Sequence, residues 1–256
     1  MQTVILCGGR GLRLGLEGDI RPKALVEIGG RPVIWHVMRH FAHHGFHDFI
    51  LCLGYKGEMI RDYFLQYPWR TGDFRLDLRT GRTVPLGSGD TADWRITFVD
   101  TGPETQTGGR LARIASLIDG DRFFATYTDG VSDLDLRALL SFHQSHGGVA
   151  TVTGVHPPLP YGLLQIEGPW VTGFREKPAL DQPVNGGYFV FSRRIFDYLG
   201  GDDCVLEGEP LRRLASERLL AAYEHGGFWA CMDTPKDVVR LDGLWRAGGP
   251  WKVWDD

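Results

Sequence analysis

The chain has 256 residues, long for one ordinary domain and short for two full ones. Apolar residues make up 43 % and charged residues 23 %, which excludes a disordered chain and supplies a sizeable core. A formal net charge of −4 excludes a general nucleic-acid binder, although a few local cations suffice for a small anion.

The N-terminus has no basic region, and its apolar run from Val4 to Cys7 is too short for a signal peptide. No stretch approaches the roughly 20 apolar residues of a membrane span. The cysteines (Cys7, Cys52, Cys204, Cys231) show no CxxC pairing and read as free thiols of a reducing compartment. The expectation is a cytoplasmic protein with neither membrane nor nucleic-acid partners.

In chain order, Thr3–Cys7 reads as a short buried strand. A helix starts at Pro32, turns Val33, Val37, Met38 and Phe41 inward, and stops at Gly45. Then come strand 49–53, helix 58–67, strand 96–99, helix 110–118, strand 123–127 and helix 136–146. Strands alternating with helices predict a Rossmann-like α/β fold with a mixed, mainly parallel sheet and helices on both faces. Residues 70–94, polar and Gly-rich, read as an inserted hairpin or flap in a single domain spanning 1–256. Strands at 150–155, 163–166, 171–174 and 187–191 are expected to continue the same sheet, and 210–254 to return to helix, strand, helix.

The first strand runs into Cys7-Gly8-Gly9-Arg10-Gly11-Leu12-Arg13-Leu14. A glycine loop after a buried strand lets backbone N–H groups converge on phosphate oxygens. It is no Walker loop, because no lysine followed by Ser or Thr comes after its second glycine. A dinucleotide site is disfavoured too: Leu14 replaces the third glycine, and the second strand ends Leu53-Gly54-Tyr55 without an acid. Arg13 and Arg21-Pro22-Lys23 place cations around the turn in an otherwise acidic chain. Asp129 and Asp233 each follow a strand, where a carboxylate can hold Mg²⁺ or simply form a turn. Asp135 is placed to cap helix 136–146.

Gly8-Gly9-x-Gly11-x-Arg13-Leu14, Pro22-Lys23 and Val26-Glu27-Ile28-Gly29-Gly30-x-Pro32 together resemble the sugar-phosphate nucleotidyltransferases. Thr107-Gly108-Gly109-Arg110-Leu111, Tyr127-x-Asp129-Gly130-Val131 and Phe228-Trp229-x-x-Met232-Asp233-Thr234 are most similar to the branch acting on CTP and glucose 1-phosphate. The resemblance covers nearly the whole chain, in order. It implies transfer from CTP to a sugar 1-phosphate, with CDP-glucose and pyrophosphate as products. The same chemistry with another nucleotide or sugar, or a non-catalytic sugar-nucleotide binding module, are the alternatives.

The resemblance also implies residue roles. Arg13, Lys23 and Asp129 would be catalytic, and Asp129 and Asp233 would hold Mg²⁺. Leu6, Gly8, Gly9, Arg10, Gly11, Leu12, Arg13, Lys23 and Thr128 would line the nucleotide, with Thr105, Thr107, Gly109 and Arg110 beside the base. Tyr161, Gly162, Glu176, Lys177 and Asn185 would bind the sugar phosphate, with Trp229 near the site. A homo-oligomer is expected by analogy. The chain departs from the family pattern at Leu12 (usually Thr), Arg10 (usually apolar) and Thr128 (usually Gly).

Overall fold

A computed structural model describes the chain apart from Arg10, residues 16, 17, 19, 88–91 and 256, and the side chain of Leu12. The main elements are β1 (Gln2–Leu6), α1 (Val33–His43), β2 (Asp48–Leu53), α2 (Gly57–Leu65), β3 (Phe74–Asp77), β4 (Arg82–Pro85), β5 (Arg95–Asp100) and α3 (Thr107–Arg113). There follow β6 (Arg122–Tyr127), β7 (Gly130–Ser132), α4 (Leu136–His146), β8 (Ala150–Val155), β9 (Leu163–Glu167), β10 (Trp170–Arg175) and β11 (Val184–Ser192). The chain closes with α5 (Glu209–Ser216), β12 (Leu220–His225), β13 (Trp229–Cys231) and α6 (Pro235–Arg246).

A seven-stranded sheet in the order β12-β8-β11-β6-β1-β2-β5 forms the centre. Only β11 runs antiparallel to its neighbours, β8 and β6. Strand alternation sends side chains to two cores. Ile5, Phe49, Leu51 and Phe124 meet α1, α4 and α6 on one face. Val4, Leu6, Ile50, Cys52, Phe123 and Ala125 meet α3 and α5 on the other. The parallel register aligns Leu6 with Cys52 and with Tyr127, so the loops after β1, β2 and β6 open at one edge. That carboxyl edge is where open α/β sheets bind ligands.

Several expected elements differ. Segments 163–166 and 171–174 do not extend the sheet. They pair with each other as β9 and β10, closed by a two-residue turn at Gly168 (φ +58°) and Pro169. The turn makes pairing local, and nearly every side chain of this hairpin is exposed. Pro32 is the N-cap of α1 rather than its first residue. The helix expected at 110–118 starts earlier, at Thr107, and stops at Arg113 before a single 3₁₀ turn, Ala115–Leu117. The tail holds two strands, not one. The 70–94 segment does form a hairpin, β3–β4, and Asp135 caps α4 by accepting from the Arg137 and Ala138 N–H groups.

Three buried imidazoles make the fold acid-sensitive. His36 Nε2 donates to the Ile28 carbonyl while its Nδ1 accepts from Trp251. Burial holds His36 down to about 4, His40 to about 3 and His143 to about 4. Folded values below the unfolded one mean that stability is intact above roughly pH 6.5 and falls as pH drops toward 4. The melting temperature is expected to fall by about 10 °C between pH 7 and pH 5, with a shallower slope in His36→Gln. A pH-independent melt followed by circular dichroism would contradict this reading.

Candidate active site

Two cavities meet at the carboxyl edge. The larger, about 470 Å³, lies over the glycine loop and α3. The smaller, about 260 Å³, lies between β6 and the start of β11. Both are lined by Tyr127, Asp129 and Asp233.

Backbone pairing brings the two carboxylates together. β13 lies antiparallel to β7, with Cys231 opposite Gly130. The Met232 N–H donates to the Asp129 carbonyl at 2.8 Å. Asp233 therefore emerges beside Asp129, although 104 positions separate them in the sequence. The capping box of α6, in which Asp237 accepts from the Thr234 N–H, also receives the Asp233 N–H.

Lys23 sits between the two acids. Its ammonium donates to Asp129 Oδ2 at 2.7 Å and to Asp233 Oδ1 at 2.6 Å. Only 13 % of its side chain is exposed. Burial alone would lower its pKa, but the Asp129 charge and the hydrogen bonds to both carboxylates raise it above the usual lysine value. Burial likewise pushes Asp233 up, and the Lys23 hydrogen bond with the Lys23 and Arg13 charges brings it below the usual carboxylate range. Arg13 pairs with Asp233 Oδ2 at 3.0 Å while its side chain stays 75 % exposed, placed to meet an incoming anion.

Most residues expected at the nucleotide line the larger cavity: Leu6, Gly8, Gly9, Gly11, Arg13, Lys23, Thr105, Thr107, Arg110 and Thr128. Arg10 and the Leu12 side chain lie outside the described residues. Gly11 takes φ +62°, which turns the loop back over β1.

Arg110 is 4 % exposed and spends its donors on protein. It binds the carbonyls of Leu53, Gly102 and Gly8 and the Thr101 hydroxyl. It thus clamps the glycine loop to the ends of β2 and β5. A Cβ on Gly8 would strike its guanidinium, so that glycine makes room for the clamp. Gly109 lines neither cavity; a Cβ there would meet the carbonyls of Gly201 and Asp202. Arg21 turns out of the site and pairs with Glu27 at 3.7 Å.

On the sugar side only Asn185 lines the smaller cavity, beside Trp229. Tyr161, Gly162, Glu176 and Lys177 flank the exposed β9–β10 hairpin. That hairpin springs from the ends of β8 and β11, where Asn185 lies, and Glu176 and Lys177 pair at 3.8 Å.

Sequence reasoning missed Cys231, Tyr127 and Glu207. Cys231 lies two residues before Asp233, the spacing that returns a strand side chain to the same face. Tyr127 stands in the same relation to Asp129. Glu207 carries no such signal; it accepts from the Tyr127 and Thr107 hydroxyls.

The family profile described as nucleotidyl transferase matches residues 2–245. The chain belongs to the nucleotidyl transferase family. This nucleotidyl transferase is 44 % identical over 258 residues to glucose-1-phosphate cytidylyltransferase of Salmonella typhi, with all of both chains covered. It is 43 % identical over 256 residues to a probable glucose-1-phosphate cytidylyltransferase of Bacillus subtilis (strain 168), covering 99 % of this chain and 100 % of that one. Among solved structures, HddC from Yersinia pseudotuberculosis superposes with a TM-score of 0.70 at 21 % identity, covering 95 % and 99 % of the two chains. That likeness speaks for the fold. No helix among the described residues is long and apolar enough to cross a membrane.

Nucleotidyl transferases generally use a divalent metal, and the donor set fits one. Two carboxylates already converge on a single cation, and one donor atom each from Asp129, Asp233 and Cys231 lie within 4.8 Å of one another. Hard oxygen donors suit a small divalent ion. Lys23 holds an oxygen of each carboxylate, so the ammonium would compete with a metal for them. Lys23→Met is expected to raise Mn²⁺ affinity of the nucleotide-free protein at least about tenfold, because one positive charge leaves the site. Turnover should fall on the order of a hundredfold. Mn²⁺ binding followed by electron paramagnetic resonance checks it; unchanged or weaker binding would show that Lys23 does not compete.

Proposed function

We infer that the chain transfers a cytidylyl group from CTP to α-D-glucose 1-phosphate, giving CDP-glucose and pyrophosphate. The observation that carries the reading is the likeness, over essentially full length, to the two cytidylyltransferases. The site supports the chemistry. A sugar-phosphate oxygen forms a bond to the α-phosphorus. The bond from that phosphorus to the bridging oxygen breaks, and pyrophosphate leaves with the electron pair. The nucleophile arrives as an anion, so no protein base is required, and no histidine lines either cavity among the described residues.

The protein's part is placement and charge. Backbone N–H groups at Gly8, Gly9 and Gly11 face the triphosphate. Arg13 meets the β- and γ-phosphates and then the departing pyrophosphate. Lys23 moves from the carboxylates to the α-phosphoryl oxygens, where charge shifts during transfer. Mg²⁺, when held by Asp129 and Asp233, supplies Lewis-acid neutralisation of phosphate oxygens. The base enters beside Thr105 and Thr107, with Arg110 fixing the wall behind it. The sugar phosphate enters the smaller cavity beside Asn185, with Glu176 and Lys177 on the adjoining hairpin. We take residues 1–256 as one catalytic domain.

In a mixture of equal CTP, UTP, dTTP, ATP and GTP with glucose 1-phosphate and Mg²⁺, the dominant product is expected to be CDP-glucose. Chromatography of the products decides it. Another base in the dominant product would overturn the cytidylyl reading, and no pyrophosphate from any pair would overturn transfer itself.

A further inference from the structure

Glu207 lies in the segment before α5 and lines neither cavity. Its carboxylate nevertheless receives a hydroxyl from each. Thr107, at the start of α3 in the nucleotide cavity, donates to Oε2 at 2.7 Å. Tyr127, at the end of β6 and in both cavities, donates to Oε1. Asn185 lines the smaller cavity with Tyr127, and its Oδ1 accepts from the Gly187 N–H at 2.8 Å. At the other end the Leu206 N–H donates to the Thr107 hydroxyl at 2.9 Å.

These bonds have one consistent direction. The Tyr127 hydroxyl donates to Glu207 from one side. The Thr107 hydroxyl, accepting from Leu206, donates to Glu207 from the other side. An anionic acceptor at the junction is what lets both hydroxyls donate at once, and bonds to a charged acceptor are the stronger kind. With that anion removed, both hydroxyls lose the acceptor that orients them.

We propose that Glu207 is a positioning residue that holds Thr107 of the nucleotide cavity in register with Tyr127, which the sugar-side cavity shares, so that one carboxylate sets the geometry of both substrate cavities. The proposal rests on the transferase reading for the identity of the two ligands. It adds that the two subsites share an anchor neither ligand touches.

The test compares Glu207→Ala, Glu207→Gln, Thr107→Val and Tyr127→Phe in the full-length protein. KM and kcat are measured on whichever nucleotide and sugar phosphate the unaltered protein turns over. Calorimetric Kd values for CTP alone and glucose 1-phosphate alone are measured beside them, with a melting curve for each variant. Glu207→Ala is expected to raise KM for both substrates about tenfold, with kcat changed less than about threefold. Thr107→Val should raise only the nucleotide's KM, whereas Tyr127→Phe should raise the sugar phosphate's as well. Glu207→Gln has one acceptor oxygen, so it should restore one of the two values and not both. Both KM values within about twofold of the parent in a folded Glu207→Ala protein, or an effect on one substrate alone, would overturn the proposal. If the parent turns over a different pair, or none, the functional reading fails separately, and the variants' KM or Kd pattern still decides the role of Glu207.

Discussion

The site is organised by one ammonium group held between two carboxylates. Asp129 and Asp233 are brought together by backbone pairing of β7 with β13, whatever their side chains carry. Two negative charges 4.8 Å apart, the outer bound for one oxygen of each, repel by about 3.5 kcal/mol at an effective dielectric constant of about 20. Lys23 offsets that repulsion at 2.7 and 2.6 Å, and Arg13 completes the neutralisation from the solvent side. Two acids and two bases leave the cluster with no formal charge. A polyphosphate can then approach a surface that does not repel it, although the chain as a whole carries −4.

Lys23 cannot serve a phosphate and two carboxylates with equal bonds. A divalent cation held by Asp129 and Asp233 would supply the positive charge the carboxylates need and leave the Lys23 ammonium free for a phosphate. The remainder of the edge is kept rigid by groups that take no part in the chemistry. Arg110 locks the glycine loop to β2 and β5 from behind, and the α6 capping box fixes the backbone at Asp233.

Much of this was legible in the sequence, and the reason is local. Strand, glycine loop and strand-end aspartates are set by near neighbours, so the parallel sheet, Lys23, Asp129, Asp233 and the Asp135 cap could be placed from pattern and resemblance. What was not legible depends on long-range contact. The Arg110 guanidinium reads as a donor beside the base in TGGRL, yet Leu53 and Gly8, more than 50 positions away, supply two of its acceptors. Arg21 reads as part of a cation cluster, but in the fold it pairs with Glu27. The 163–174 segment has the composition of strands and forms them; only the Gly168–Pro169 turn decides that they pair with each other. Glu207 is a lone acid in an unremarkable segment until the fold sets it between two hydroxyls.

The account's central claim is a single direct displacement, in which the chain supplies charge and placement but no nucleophile. Cys231 is the side chain that could contradict it. It stands beside Asp233, but burial and the neighbouring Asp129 charge hold its thiol protonated, well above the usual cysteine value. The decisive measurement is the stereochemistry at phosphorus, using CTP made chiral by sulfur at the α-phosphate and phosphorus NMR of the sugar-nucleotide product. One in-line displacement predicts inversion of configuration. Retention would require two displacements through a covalent nucleotidyl-protein, and would contradict the account.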